Sequence, residues 1–324
     1  MSIYENRGLK PTKQGFGEGV LEAARRNKQI VGIGADITSS VGMDIFAGEY
    51  PDRFISLGIA EQNCIGVSAG LALSGKVPVF ATYGVFAALR TTDFIRISVC
   101  YNNLHVIIGG AHSGVSVGPD GATHQALEDI AVMRVLPNMT VISPCDATQT
   151  RMATVAAINK AEGPVYVRFG RAPVPDFSSE NQNFEIGKAQ TMNRGGDVTV
   201  IATGHLVWEA LQAAEMLSEE GIKTRVLNMH TIKPLDEDAI LKAAEETGAI
   251  VTAEEHQITG GLGSAVAEYV VRNCPVPMEF VGMPDSFGES GEPDELMMKY
   301  GMKAMDIAGA VHKVLERKTG NPGS

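Results

Sequence analysis

Two histidines and an aspartate share one glycine-rich stretch, "GGAHSGVSVGPDGATHQALED" (109–129), as His112, Asp120 and His124. Imidazole and carboxylate groups held together in this way can move protons to and from a substrate's oxygens, or hydrogen-bond them. They fall short of a metal site, because no third or fourth ligand follows at a ligating spacing. Upstream, "FISLGIAEQNCIGVSAGLAL" (54–73) carries a single charge, Glu61, at the start of an otherwise small and apolar helix. A carboxylate there either stabilises the helix N-terminus or does chemistry from an apolar pocket. The pattern by itself leaves both open.

Such residues need a frame. Short β-branched runs at 29–35, 53–58, 77–82, 104–110, 139–144 and 164–169 alternate with helix-length segments such as 84–102 and 146–162. Strands that are apolar on both faces and separated by helices indicate a parallel sheet covered on both sides. The two-histidine stretch follows the run 104–110, at a strand's C-terminal end, where ligands sit in parallel sheets. "RAPVPDFSSENQNFEIG" (171–187) then breaks the rhythm with prolines and polar residues, before the alternation resumes with "DVTVIATG", "GIKTRVLNMH", "GAIVTAEEH" and "PMEFVGM". The expected fold is α/β, with two domains, each a mostly parallel sheet covered by helices. The expected boundaries are 1–175, a linker over 176–190, and 191–324.

Several functions are disfavoured. "GIGADI" and "GGLGSAV" carry Ile37 and Val266 where a dinucleotide fingerprint needs its third glycine. No Walker A sequence occurs, and "TGGLGS" reads as an ordinary strand-to-helix turn. A net charge of -11 without a basic run argues against nucleic acid and anionic membranes. No apolar run reaches the roughly 18–20 residues of a membrane span. The opening "MSIYENRGLKPTKQG" has no apolar signal-peptide core, so a cytoplasmic location is expected. The four cysteines lie far apart beside apolar neighbours and are expected to be buried thiols.

With Glu61 and the two-histidine loop in view, the chain resembles the transketolase family of thiamine diphosphate enzymes. More narrowly, it resembles the C-terminal half of a transketolase encoded as a separate subunit. The matching segments are "GADITSS", "GIAEQN", "ATYGVFAALR", "AHSGVSVGPDGATHQALEDIAVMRVLPNMTVISPCDA" and "YVRFGR". They run through the first domain nearly end to end; the second domain looks like the family's C-terminal domain with weaker motifs. The resemblance implies a pyrimidine-binding domain followed by that C-terminal domain. No GDG sequence is present, although the family holds the diphosphate and its Mg²⁺ (or Ca²⁺) at a GDG motif in a different domain. An N-terminal transketolase subunit is therefore the implied partner, with the metal ion in that partner and self-association into an α2β2 heterotetramer.

The resemblance also assigns roles. Glu61 matches the catalytic glutamate, whose carboxyl group bonds the cofactor's pyrimidine N1′ and favours the imino tautomer. Phe86 matches the aromatic that stacks on that ring, and Asp36 an acidic residue near the cofactor. His112, Asp120 and His124 match catalytic and substrate-binding residues of the donor channel. Arg168 and Ser40 match residues that bind a substrate's terminal phosphate. Two departures stand out. Lys13 replaces an arginine and cannot form a bidentate pair, while Leu89 and Thr92 replace two aromatics of the pyrimidine pocket. The implied reaction moves a two-carbon ketol unit from a ketose, expected to be a phosphate, to an aldose. The alternative is an enzyme resembling 1-deoxyxylulose-5-phosphate synthase or the β subunit of a 2-oxo acid dehydrogenase.

Overall fold

The computed structural model describes residues 4–180 and 182–320. Its larger sheet has seven strands. Their spatial order is Thr231–Lys233, Thr140–Ile142, Val165–Arg168, Ile107–Ala111, Val77–Tyr83, Ile30–Gly34 and Phe54–Ser56. All pair in parallel except the first, which runs antiparallel to Thr140–Ile142. The central strands "IVGIG", "IIGGA" and "VYVR" are buried at every residue, as strands covered by helices on both faces must be. Gly110 is small for a reason: a Cβ there would fall 2.0 Å from the Tyr166 hydroxyl oxygen on the neighbouring strand.

The second sheet has five strands in the order Met278–Met283, Ile250–Gln257, Val198–Ala202, Thr224–Asn228 and Gln190–Asn193, the last antiparallel to its neighbour. The expected α/β class with two mostly parallel sheets is therefore the fold observed. The two halves of the chain share the larger sheet. The strand Thr231–Lys233 leaves the second half of the chain and closes the edge of the first sheet. One apolar core runs across the junction, joining Ile130, Met133 and Val141 to Leu227, Ile232, Leu262 and Val266. Within the stretch expected as a linker, Asp176, Phe177, Ser178 and Phe184 are buried. Asp176 accepts hydrogen bonds from the Thr148 backbone and from Lys10, which pins the stretch to the first domain.

The segment expected as a regular helix over 84–102 is wound more widely. It has π-helical turns over Phe86–Arg90 and Ile95–Cys100, with one α-helical turn, Thr92–Phe94, between them. The Thr91 and Thr92 hydroxyls donate back to the carbonyls of Ala87 and Ala88, a competition that loosens helical turns. Widened turns of this kind concentrate at functional sites.

Candidate active site

The C-terminal ends of the parallel strands deliver the candidate residues to one edge of the larger sheet. Ile30–Gly34 leads to Asp36 and Ser40, Val77–Tyr83 to Phe86, Ile107–Ala111 to His112, and Phe54–Ser56 to Glu61. In an open parallel sheet this edge is where ligands bind.

His112 is the best defined of them. It has a left-handed backbone, with φ of 53°, unusual for a residue other than glycine. Its ring stacks on Tyr83, with centroids 4.3 Å apart and planes 21° from parallel. Nε2 lies 3.2 Å from the Ser40 carbonyl oxygen, which can only accept, so Nε2 carries the proton and Nδ1 has the free lone pair. Nδ1 is buried without a hydrogen-bond partner and sits 3.7 Å from Asp120 Oδ2. Burial pushes the imidazole down to about 4. Asp120 and the Ser40 carbonyl oppose that fall, while Arg171 and Lys13 add to it. At neutral pH His112 is an uncharged, buried acceptor, and its contact with Asp120 is not an ion pair.

His124 extends the cluster. Its ring meets both Tyr83 and Phe86 edge-on, each with a centroid separation of 5.6 Å, and Thr123 Oγ1 lies 2.9 Å from its Nδ1. Phe86 is partly exposed, as a platform for a flat ligand has to be. Glu61 is only 2% exposed. It is the first residue of the helix Glu61–Leu73, and its Oε2 accepts from Arg90 Nη1 at 2.8 Å. The Arg90 guanidinium lies over the Phe86 ring, 4.3 Å from its centroid. Asp36 is exposed at the same edge in a left-handed turn, φ 71°. Lys13, the second residue of the helix Thr12–Arg26, acts on His112 through its charge.

Arg168, expected to bind a phosphate, is almost wholly buried and has its donors engaged by protein groups. Its side chain is 6% exposed, and Nε donates to Asp129 Oδ2 at 2.9 Å. Nη2 donates to the carbonyls of Ala126 and Glu255. Burial opposes the guanidinium charge, and the carboxylates of Asp129 and Glu255 more than offset it. Asp129 Oδ2 also accepts from Tyr166 and Ser113, so this buried group fixes the residue next to His112. The arginine beside Asp120 is Arg171, with a side chain 40% exposed. It lies 3.8 Å from Asp120 Oδ1 and donates to the Val117 carbonyl. Sequence reasoning missed Arg171, Tyr83 and Arg90. All three lie in matching segments, Arg171 in "YVRFGR" and Tyr83 and Arg90 in "ATYGVFAALR".

The second domain braces the two-histidine loop. Ser116 N donates to Glu255, and Gln125 bridges the carbonyls of Val115 and Glu289. Gly114 has φ of 91°, and a Cβ there would fall 2.2 Å from the Glu255 carboxyl carbon, so only glycine fits. The "TGGLGS" turn is an ordinary helix start, as expected. Glu254 accepts from the backbone of Leu262 and Gly263 at the start of the helix Leu262–Asn273 and fills that anion position itself.

Comparison with known proteins identifies the frame. Residues 10–176 match the family model of the transketolase pyrimidine binding domain, and residues 187–307 that of the transketolase C-terminal domain. The chain is 46% identical over 299 residues to the 6-deoxy-6-sulfo-D-fructose transketolase subunit SqwH of Clostridium sp. (strain MSTE9), covering 92% of each chain. It is 44% identical over 291 residues to an apulose-4-phosphate transketolase subunit of Phocaeicola vulgatus, covering 90% of this chain and 93% of that one. A solved structure described as a split gene transketolase, inactive beta4 tetramer, superposes with a TM-score of 0.89 at 46% identity, covering 95% and 99%. Two family domains in this order, with relatives 44–46% identical over nine-tenths of the chain, place it in the transketolase family, where it is similar over nearly its whole length to subunits of split transketolases.

Proposed function

We propose that this chain provides the pyrimidine-binding half of a thiamine diphosphate site and most of the donor channel of a two-subunit transketolase. One observation carries the reading: an unbroken run of contacts from a buried carboxylate to a pair of histidines. Glu61 meets Arg90, Arg90 covers Phe86, Phe86 meets His124, His124 meets Tyr83, Tyr83 stacks on His112, and His112 faces Asp120. The residues fit the cofactor. Phe86 offers a partly exposed aromatic face, and Glu61 a carboxylate that can bond a ring nitrogen beside it. Asp36 stands at the same edge.

When bound, thiamine diphosphate supplies the electron sink that lets a carbon–carbon bond beside a ketose carbonyl break. The chain's own residues do the rest. Neutral His112 accepts a hydroxyl proton at its unpartnered Nδ1. Asp120 and His124 hydrogen-bond the sugar oxygens and hold them against the aromatic floor. Lys13, Ser40 and Arg171 receive the terminal anion, a phosphate or a sulfonate, at the outer end of the cleft. An N-terminal subunit brings the diphosphate site with its Mg²⁺ (or Ca²⁺), and the assembly is an α2β2 heterotetramer in the cytoplasm. The similar solved chain, described as an inactive tetramer, supports the view that a subunit of this kind works only with its partner.

The test is a ketol-transfer assay with the partner subunit, thiamine diphosphate and Mg²⁺ present, a phosphorylated ketose as donor and an aldose as acceptor. The reading predicts turnover that needs both subunits and is abolished by Glu61→Ala with the assembly intact. Turnover with pyruvate but no ketose would instead support the synthase-like or dehydrogenase-like alternative.

A further inference from the structure

The Glu61–Arg90 contact has no place in the reaction just described. Glu61 is 2% exposed, and Arg90, with a side chain 40% exposed, lies on it. The Arg90 guanidinium is planar and cationic, and it donates N–H bonds. It makes one hydrogen bond to Glu61, at 2.8 Å, and one stacking contact with Phe86, at 4.3 Å. An aminopyrimidine is also flat and has a ring nitrogen able to bond a carboxyl group, and the proposed cofactor pose asks for the same two contacts. Two flat groups cannot lie on the same face of one ring at van der Waals distance.

We propose that Arg90 is an internal stand-in for the cofactor's pyrimidine: it occupies that subsite in the unloaded subunit and must swing out for thiamine diphosphate to bind. This rests on the pyrimidine-site reading of Glu61 and Phe86. The stand-in gives the Glu61 carboxylate a donor before the cofactor binds. It is also easily displaced. Arg90 sits at the cleft's surface, where an ion pair contributes little, so its competition lowers cofactor affinity by about tenfold at most. Arg90 thereby raises the cofactor concentration at which the subunit loads, and it leaves the bond-breaking chemistry alone.

The test is thiamine diphosphate affinity, by calorimetric titration of the two-subunit enzyme with Mg²⁺, for wild type, Arg90→Met, Arg90→Lys, Glu61→Gln and the Glu61→Gln/Arg90→Met double variant. The expected result is a Kd about three- to tenfold lower for Arg90→Met and intermediate for Arg90→Lys. The gain should vanish in the Glu61→Gln background, where there is no charge for Arg90 to hold. Thermal unfolding without cofactor separates a folding defect: Arg90→Met should melt within a few degrees of wild type while binding more tightly. Weaker or unchanged binding by Arg90→Met, with Glu61→Gln itself weakened, would overturn the stand-in and leave the pyrimidine site standing. Unchanged binding by Glu61→Gln would overturn both.

Discussion

Arg168 and Arg171 stand three residues apart, and the structure gives them opposite tasks. Arg168→Leu strands the Asp129 carboxylate, which is fully buried, and removes the donor from two buried carbonyls. Breaking one side of a buried ion pair costs about 3–5 kcal/mol. At roughly 2 °C per kcal/mol for a chain of this size, the melting temperature should fall by about 6–10 °C. Arg171→Leu removes a half-exposed side chain and should move stability by no more than about 0.5 kcal/mol. Its loss should appear in kcat/KM for a donor with a terminal anion. A charge-assisted hydrogen bond of about 1.5–3 kcal/mol corresponds to a fall of roughly 10- to 100-fold, with little change for a donor lacking the anion. The assays are thermal or urea unfolding of each variant, and initial rates of the two-subunit enzyme with both donors. An Arg168→Leu protein that melts with wild type, or an Arg171→Leu protein with an unaltered preference for anionic donors, would refute the assignment.

Other predictions follow from the same geometry. His112 and His230 are both pushed by burial from 6.5 to about 4, so the folded state refuses protons that the unfolded state takes up between those values. Stability should be full above pH 6.5 and fall as the pH drops toward 4, by up to about 1.4 kcal/mol per pH unit for each histidine. Urea unfolding at a series of pH values checks this, and His112→Asn should remove about half the slope; a flat profile would contradict it. Phe86→Ala should weaken thiamine diphosphate binding by about 1 kcal/mol, roughly fivefold, without altering the sugar's KM; cofactor titration decides it. Gly114→Ala should unfold several degrees early and lose activity, because its Cβ collides with the Glu255 carboxylate that holds the histidine loop; a normal melt would count against that brace.

The sheets were legible because strands covered on both faces must be continuously apolar, and "QIVGIGA", "LHVIIGG" and "PVYVRF" are. The two-histidine loop was legible from its glycines and its place after a strand. What could not be read depended on contacts distant in sequence. Nothing local says that Thr231–Lys233 pairs with Thr140–Ile142, or that Arg90 meets Glu61 across 29 residues. In "YVRFGR" both arginines look alike. The strand run 164–169 already held Arg168, but only the fold shows that its side chain meets the Asp129 network. The widened helix over 86–100 was hidden because Thr91 and Thr92 fit a regular helix by pattern and disturb it through their hydroxyls.

The most direct test of the account is native mass spectrometry of this chain mixed with its N-terminal partner subunit, thiamine diphosphate and Mg²⁺. The account predicts an α2β2 complex that retains the cofactor, and neither subunit alone should retain it. A heteromeric complex that never takes up thiamine diphosphate, or a chain that holds the cofactor without any partner, would contradict a site shared between two subunits.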